Sequence, residues 1–286
     1  MSWTILVGAG TLATALNGGA SLLCIVDARF SLGDPQAGLA GYRQSHLPGA
    51  VHADLDRDLS DRARTGHGRH PLPDMDRFMR HVGEWGIGPE HQVVVYDAGD
   101  GSMAAARFWW MLRLCGHRKV AVLDGGLSAW RAAGLPETDA APRIRPLPAY
   151  PGHFDRSRVV TVDEVMARLS EPAGWLWDAR AAERFRGEVE PIDLVAGHVP
   201  GAVNWPFARN MQDGVMTDGT ALGHALRAQL QGLEPQRVVL MCGSGVSACH
   251  LLLAFEAAGL PGPRIYADSW SGWISDPARP VATGDD

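Results

Sequence analysis

One cysteine of the chain lies in a setting that suits a nucleophile. An apolar run at 238–241 leads directly into Cys242, and the small residues Gly243-Ser244-Gly245-Val246-Ser247 separate it from a second apolar run. Glycines let the backbone N–H groups of such a turn point inward together, and a helix that begins there adds its positive end. Both effects stabilise a thiolate, the form of cysteine that attacks an electrophile. The spacing predicts a nucleophile at Cys242, held by backbone donors.

The other three cysteines, Cys24, Cys115 and Cys249, lie inside apolar runs, where cysteine usually packs as a small apolar side chain. Four cysteines in 286 residues do not form a disulfide framework. None is spaced as Cys-x-x-Cys or grouped with histidines as in a zinc site. The sequence therefore implies no metal and no organic cofactor, and it leaves Cys242 as the reactive thiol.

Two related chemistries do not fit the residues around Cys242. A cysteine-dependent phosphatase needs an arginine six positions after the nucleophile to bind the phosphoryl group, and position 248 is alanine. A serine hydrolase turn requires glycine two positions before and after the serine, whereas Cys242 and Val246 flank Ser244. Phosphatase activity is disfavoured, and serine hydrolase activity is excluded.

Composition and charge argue against further classes. The net charge is −6 and the isoelectric point about 6.0, so a basic face for nucleic acid is not expected. Lys119 is the only lysine, which disfavours a Schiff-base enzyme. Gly8-Ala9-Gly10 resembles the start of a dinucleotide fingerprint, but the matching positions 160–165 of the repeat described below contain no glycine.

The first residues do not fit a targeting segment. A signal peptide begins with basic residues, and the first basic residue here is Arg29. Asn17-Gly18-Gly19 would interrupt a membrane span. We therefore expect the segment to belong to a folded core, with no membrane partner and a cytoplasmic location.

The most informative pattern is an internal repeat, in which four blocks recur in the same order about 150 residues apart. The blocks are Asp27-Ala28-Arg29 with Asp178-Ala179-Arg180, His46-Leu47-Pro48-Gly49-Ala50 with His198-Val199-Pro200-Gly201-Ala202, residues 93–97 with 238–242, and residues 126–130 with 269–273. The repeat predicts two copies of one fold. Asp97 stands in the first copy where Cys242 stands in the second.

Each copy has the pattern of an α/β domain. The predicted strands 92–96 and 237–241 contain continuous apolar runs from their second residue onward. Each is followed by a small-residue turn and a helical run, which is typical of strands buried in a parallel sheet. Prolines are frequent between the copies and favour an extended connection. We expect an N-terminal domain at 1–137, a linker at 138–154 and a C-terminal domain at 155–286.

With both copies in view, the chain resembles the tandem-domain rhodanese family of thiosulfate and 3-mercaptopyruvate sulfurtransferases. The resemblance rests on the two Asp-Ala-Arg blocks, the two His-x-Pro-Gly-Ala blocks, residues 124–130 and the loop Cys242–Ala248 taken together. It implies that Cys242 carries a persulfide, stabilised by the backbone of Gly243, Gly245, Val246 and Ser247. It also implies that the first domain is catalytically silent, because Asp97 cannot carry sulfur.

The uncharged loop after Cys242 is similar to that of the mercaptopyruvate branch, whereas thiosulfate-type loops tend to carry basic residues there. The family binds the donor with an arginine beside a phenylalanine, matched by Arg184 in Arg184-Phe185. A second family arginine follows Glu-Pro, and here the residue is Ile192. Because of this difference, the sequence leaves both mercaptopyruvate and thiosulfate open as donors. Arg180 and Arg186 are the nearby candidates to replace the missing arginine.

The resemblance assigns proton transfer to Ser244, and to a histidine and an aspartate of the first domain that match His46 and, loosely, Asp34. The expected reaction passes sulfur from a small-molecule donor to a thiol or to cyanide, with a thioredoxin-like reductant as a candidate acceptor. The alternative is a persulfide carrier that delivers sulfur to another protein without turning over a small donor. Both use Cys242, so the sequence leaves them open.

Overall fold

The computed structural model describes residues 2–285, which divide into two compact units. The first unit takes the residues up to Asp61 together with Leu72–Asp155, and the second takes Arg62–Pro71 together with the residues from Arg156 onward. Ten residues of the first half of the sequence, Arg62–Pro71, thus belong to the second unit. Among residues 2–285, no helix is both long and apolar enough to cross a bilayer.

The first unit is built on a parallel sheet of five strands in the order β1-β5-β4-β2-β3. Its strands are β1 Leu6–Val7, β2 Leu23–Asp27, β3 Val51–His52, β4 Gln92–Tyr96 and β5 Val120–Leu123. Its helices are α1 Ala9–Asn17, α2 Ala37–Gln44, α3 Met75–Glu84, α4 Ala104–Leu114 and α5 Gly126–Ala132. Every residue of β4 is buried, as the continuous apolar run at 93–96 predicts for a central strand covered on both faces.

The second unit repeats this plan with a parallel sheet in the order β6-β12-β11-β7-β8 and adds an antiparallel pair, β9 and β10. Its strands are β6 Val159–Val160, β7 Leu176–Asp178, β8 Ala202–Asn204, β9 Met211–Gln212, β10 Val215–Met216, β11 Val239–Met241 and β12 Arg264–Tyr266. Its helices are α6 Val162–Ala167, α7 Ala182–Phe185, α8 Gly219–Leu230, α9 Ser247–Ala257 and α10 Ser269–Trp273, with 3₁₀ turns at Arg156–Arg158, Phe207–Asn210 and Pro235–Arg237. The prediction of a parallel α/β fold present twice is confirmed.

The repeated Asp-Ala-Arg blocks have the same structural role in both units. Arg29 donates to both carboxylate oxygens of Asp27, and Arg180 does the same with Asp178, all four side chains being almost fully buried. Each arginine also donates to a backbone carbonyl, that of Ser45 or that of Gly197. A buried charge is tolerated when it is paired and hydrogen-bonded, so these pairs brace each unit from within.

Candidate functional site

Cys242 directly follows the central strand β11 and is almost fully buried, with 2% of its surface exposed. The loop that follows it is fixed to the start of α10. The Cys242 N–H donates to Ser269 Oγ at 3.1 Å, and the N–H groups of Trp270 and Ser271 donate to the carbonyls of Cys242 and Gly243. The chain turns back at Gly245, whose φ of 74° lies in the left-handed region that favours glycine, and α9 begins at Ser247.

Backbone donors of this turn remain open. Within residues 2–285, the N–H groups of Gly243, Ser244, Val246 and Ser247 donate to no protein acceptor. They lie between the end of β11 and the first turn of α9, where the positive end of the helix favours an anion. The loop can therefore hold negative charge on sulfur attached to Cys242.

The matching loop of the first unit is filled by its own carboxylate. Asp97 accepts hydrogen bonds from the N–H groups of Gly99, Gly101, Met103 and Ala105 at 2.9 to 3.3 Å. Burial raises the pKa of Asp97, and these backbone donors oppose the rise. The same loop position thus binds a carboxylate in one copy and carries a thiol in the other.

Ser244 is paired with a histidine that the sequence analysis did not select. Its Oγ lies 2.8 Å from Nδ1 of His70, and both residues are buried. His70 comes from the segment Arg62–Pro71, which belongs to the second unit. A hydroxyl bonded to an imidazole beside a nucleophile is an arrangement that can relay a proton.

The segment Arg62–Pro71 is held against α10 and the residue before it. The Arg69 N–H donates to Ser271 Oγ at 3.1 Å, and His67 Nδ1 lies 3.0 Å from a carboxylate oxygen of Asp268. Gly68 has φ of 79°, and a Cβ there would lie 2.5 Å from Ser271 Oγ, so only glycine fits. This attachment fixes Arg69 and His70 beside the Cys242 loop.

His46 and Asp34, both in the first unit, make local contacts with the backbone. Nδ1 of His46 lies 2.7 Å from the carbonyl of Tyr42 and Nε2 lies 3.2 Å from that of Ala140. His198 repeats the arrangement, with Nδ1 2.8 Å from the carbonyl of Phe185. Backbone carbonyls therefore engage both ring nitrogens of His46, and the imidazole beside Ser244 is that of His70.

Asp34 has a local role at the beginning of α2. Its carboxylate accepts from the N–H of Gln36 at 3.0 Å, and its carbonyl accepts from that of Ala37. Asp34 is exposed in the first unit, whereas the Ser244–His70 pair belongs to the second. The role of Asp34 in proton transfer stays a prediction.

Arg184 lies over the loop and is held by two acidic residues. It donates through Nε and Nη2 to both carboxylate oxygens of Glu190, and through Nη2 to Asp193 at 3.0 Å. Burial disfavours ionisation of Glu190, but the bonds from Arg184 and from the N–H groups of Asp193 and Ile192 outweigh it and lower its pKa. The Ile192 side chain is exposed, and because it is apolar it supplies no cation at that position.

The two arginines suggested as replacements for the missing one both pair with carboxylates. Arg180 is 1% exposed, is paired with Asp178, and lies over the ring of Trp270. Arg186 is near the surface and pairs with Glu188. The second guanidinium beside the loop belongs to Arg69, which the sequence analysis did not consider.

The remaining cysteines have the features of structural residues. Burial, with the nearby Glu90, raises the pKa of Cys24 to about 11, and burial raises that of Cys115 to about 12. The Cys249 thiol donates to the carbonyl of Gly245 at 3.2 Å inside α9. Their interpretation as packing side chains agrees with these surroundings.

Comparison with known proteins agrees with this geometry. The family model for the rhodanese-like domain matches residues 9–133 and again residues 161–276. A protein of Pseudomonas aeruginosa, named "Probable 3-mercaptopyruvate sulfurtransferase", is 48% identical over 92% of this chain and 93% of its own length. The thiosulfate sulfurtransferase of Rattus norvegicus is 35% identical over 82% of this chain and 78% of its own.

A solved structure gives the same result. That of SseA from Escherichia coli, described among 3-mercaptopyruvate sulfotransferases, matches with a TM-score of 0.78 and 32% identity over 94% of this chain and 100% of its own. The chain therefore belongs to the rhodanese-like family, in its two-domain sulfurtransferase form.

Proposed function

We propose that the protein transfers the sulfur of 3-mercaptopyruvate through a persulfide on Cys242. The observation that carries this choice of donor is the 2.8 Å contact between Ser244 Oγ and His70 Nδ1. Loss of sulfur from mercaptopyruvate leaves an enolate that must gain a proton. Loss of sulfur from thiosulfate leaves sulfite, which needs none at carbon. A proton relay next to the nucleophile suits the first reaction.

The first half-reaction forms one S–S bond and breaks one C–S bond. The Cys242 thiolate attacks the sulfur of the donor, and the electron pair of the C–S bond moves into the enolate of pyruvate. The proton of the donor thiol passes through Ser244 and His70 to the enolate, which gives pyruvate. The charge balances, because one thiolate is consumed and one ionised persulfide is formed. The open N–H groups of the loop stabilise that anion.

The second half-reaction returns Cys242 to the thiolate. An acceptor thiolate or cyanide attacks the outer sulfur of the persulfide, and the S–S electron pair returns to Cys242. A thioredoxin-like protein thiol is the acceptor class we propose. The four cysteines are all free, and a persulfide cycle of this kind needs a reducing compartment such as the cytoplasm.

Steady-state kinetics test the choice of donor. We expect kcat/KM for mercaptopyruvate, followed as pyruvate release with cyanide as acceptor, to exceed that for thiosulfate by at least about tenfold, the effect of a 1.4 kcal/mol preference. A larger value for thiosulfate would contradict the proposed donor. Persulfide formation without repeated turnover on either donor would favour the carrier alternative.

A further inference from the structure

The guanidinium groups of Arg69 and Arg184 lie next to Gly243, the first residue after Cys242. Nη2 of Arg69 lies 3.0 Å, and Nη1 of Arg184 3.7 Å, from the point that a Cβ of Gly243 would occupy. Arg69 donates through Nη1 to Asp193, and among residues 2–285 its buried Nε and its Nη2 have no hydrogen-bond partner. Arg184 donates through Nε and Nη2, which leaves its Nη1 open within the described part of the chain. A carboxylate has two oxygens, one for each group.

Asp193 fixes both guanidiniums in this orientation. Its Oδ1 accepts from Arg69, and its Oδ2 accepts from Arg184. The carboxylate is 4% exposed, and burial raises its pKa although the two arginines oppose the rise. Asp193 is thus a positioning residue, because it acts through the arginines and turns their unused edges toward Gly243.

We propose that Arg69, with Arg184, binds the carboxylate of the donor and supplies the second cation that is absent at Ile192. The inference rests on the proposed donor and assigns its recognition to a residue of the segment Arg62–Pro71. The loop itself provides no charge between Gly243 and Ser247. Cations from outside the loop converge instead on Gly243, where any side chain would displace Arg69 Nη2.

The inference predicts that Arg69→Ala weakens the use of a donor only when that donor carries a carboxylate. In single-turnover experiments we compare mercaptopyruvate with 1-mercaptopropan-2-one, which has the same thiol and ketone but no carboxylate. Arg69→Ala is expected to raise the concentration for half-maximal persulfide formation from mercaptopyruvate about ten- to a hundredfold, as for loss of a charge-assisted hydrogen bond. Reaction of the carboxylate-free compound should change less than about threefold, because that compound never used the lost hydrogen bond.

A control variant and the wild type distinguish failure of the Arg69 inference from failure of the proposed donor. Arg237→Ala removes an exposed arginine of the same unit, which pairs with Glu171 and lies before the start of β11, at the end opposite to Cys242, and it should leave both donors unaffected. Equal loss with both donors in Arg69→Ala would mean that Arg69 merely holds the segment, and unchanged use of mercaptopyruvate would mean that the anion is bound elsewhere. Either result overturns the inference. Absence of pyruvate release by the wild type would instead reject the proposed donor itself.

Discussion

Ser244 Oγ lies 2.8 Å from Nδ1 of His70, although 174 positions separate the two residues in the sequence. The hydroxyl belongs to the Cys242 loop, and the imidazole comes from a segment that the second unit borrows from the first half of the chain. In the mechanism we propose, this pair carries the proton to the enolate.

Ser244→Ala tests the relay. We expect kcat for pyruvate release from mercaptopyruvate to fall by at least about a hundredfold, the usual effect of general acid–base catalysis. Transfer from thiosulfate should fall by less than about tenfold, because sulfite leaves without a proton at carbon. Equal losses with both donors would contradict a proton-transfer role.

His67→Asn serves as the control for that experiment. His67 lies in the same segment and contacts Asp268, but its side chain is 42% exposed. The variant should retain donor use within a few-fold. A loss as large as that of Ser244→Ala would show that attachment of the segment, and not the Ser244–His70 pair, determines the rate.

Alkylation should distinguish Cys242 from Cys24 and Cys115, whose pKa values are raised by burial. A group with a pKa of about 11 or 12, as in Cys24 and Cys115, remains protonated at pH 8, and its thiolate appears only as the pH rises toward those values. Iodoacetamide at pH 8 should therefore label Cys242 first and abolish transfer, as mapped by peptide mass spectrometry. Labelling of Cys24 or Cys115 ahead of Cys242 would contradict this order.

Asp97→Ala should affect stability more than activity. Four N–H groups lose their acceptor, so the free energy of unfolding should fall by about 1 to 3 kcal/mol in denaturant titrations. Turnover should stay within a few-fold of wild type, because we assign no chemistry to the first unit. A drop near ~10³, the scale for a catalytic group, would show that this loop takes part in the reaction.

The variants Arg180→Ala and Arg184→Ala should distinguish an arginine that stabilises the fold from one that binds the donor. Arg180→Ala leaves the buried carboxylate of Asp178 without its partner, which should cost about 3 to 5 kcal/mol of unfolding free energy. Arg184→Ala also removes a partner of the buried Glu190 carboxylate, so its stability should fall as well, but in addition the folded variant should show kcat/KM for mercaptopyruvate lowered about ten- to a hundredfold. If kcat/KM of Arg184→Ala equals that of the wild type, the carboxylate of the donor is bound by groups other than Arg184 of α7.

Much of the fold follows from the sequence because its causes are local. Strands buried on both faces require continuous apolar runs, and the repeat gives two independent copies of each signal. The Cys242 loop is also local, since strand, turn and helix are consecutive. His46 is predicted as a proton-transfer residue and lies in a repeated block. The block recurs at His198, where Nδ1 likewise contacts a backbone carbonyl, so the recurrence itself indicates a turn shared by both units.

Arg69 and His70 could not be located in the same way. Their segment has no apolar periodicity and no counterpart among the repeated blocks, so nothing in the sequence shows which unit it contacts. Its run of glycine, arginine and histidine at 66–70 was the available signal, because charged loop residues outside a repeat often carry function. The contact between Arg69 and Asp193 joins residues 124 positions apart, and only the folded unit reveals it.

Intact-mass measurement after donor treatment tests most directly whether Cys242 carries the sulfur. Wild type treated with mercaptopyruvate in the absence of acceptor should gain the mass of one sulfur, ~32 Da, and should lose it when cyanide is added. Cys242→Ser, nearly isosteric but unable to form a persulfide, should stay folded and gain nothing. A gain of one sulfur that persists in Cys242→Ser would place the persulfide on another cysteine and contradict the account.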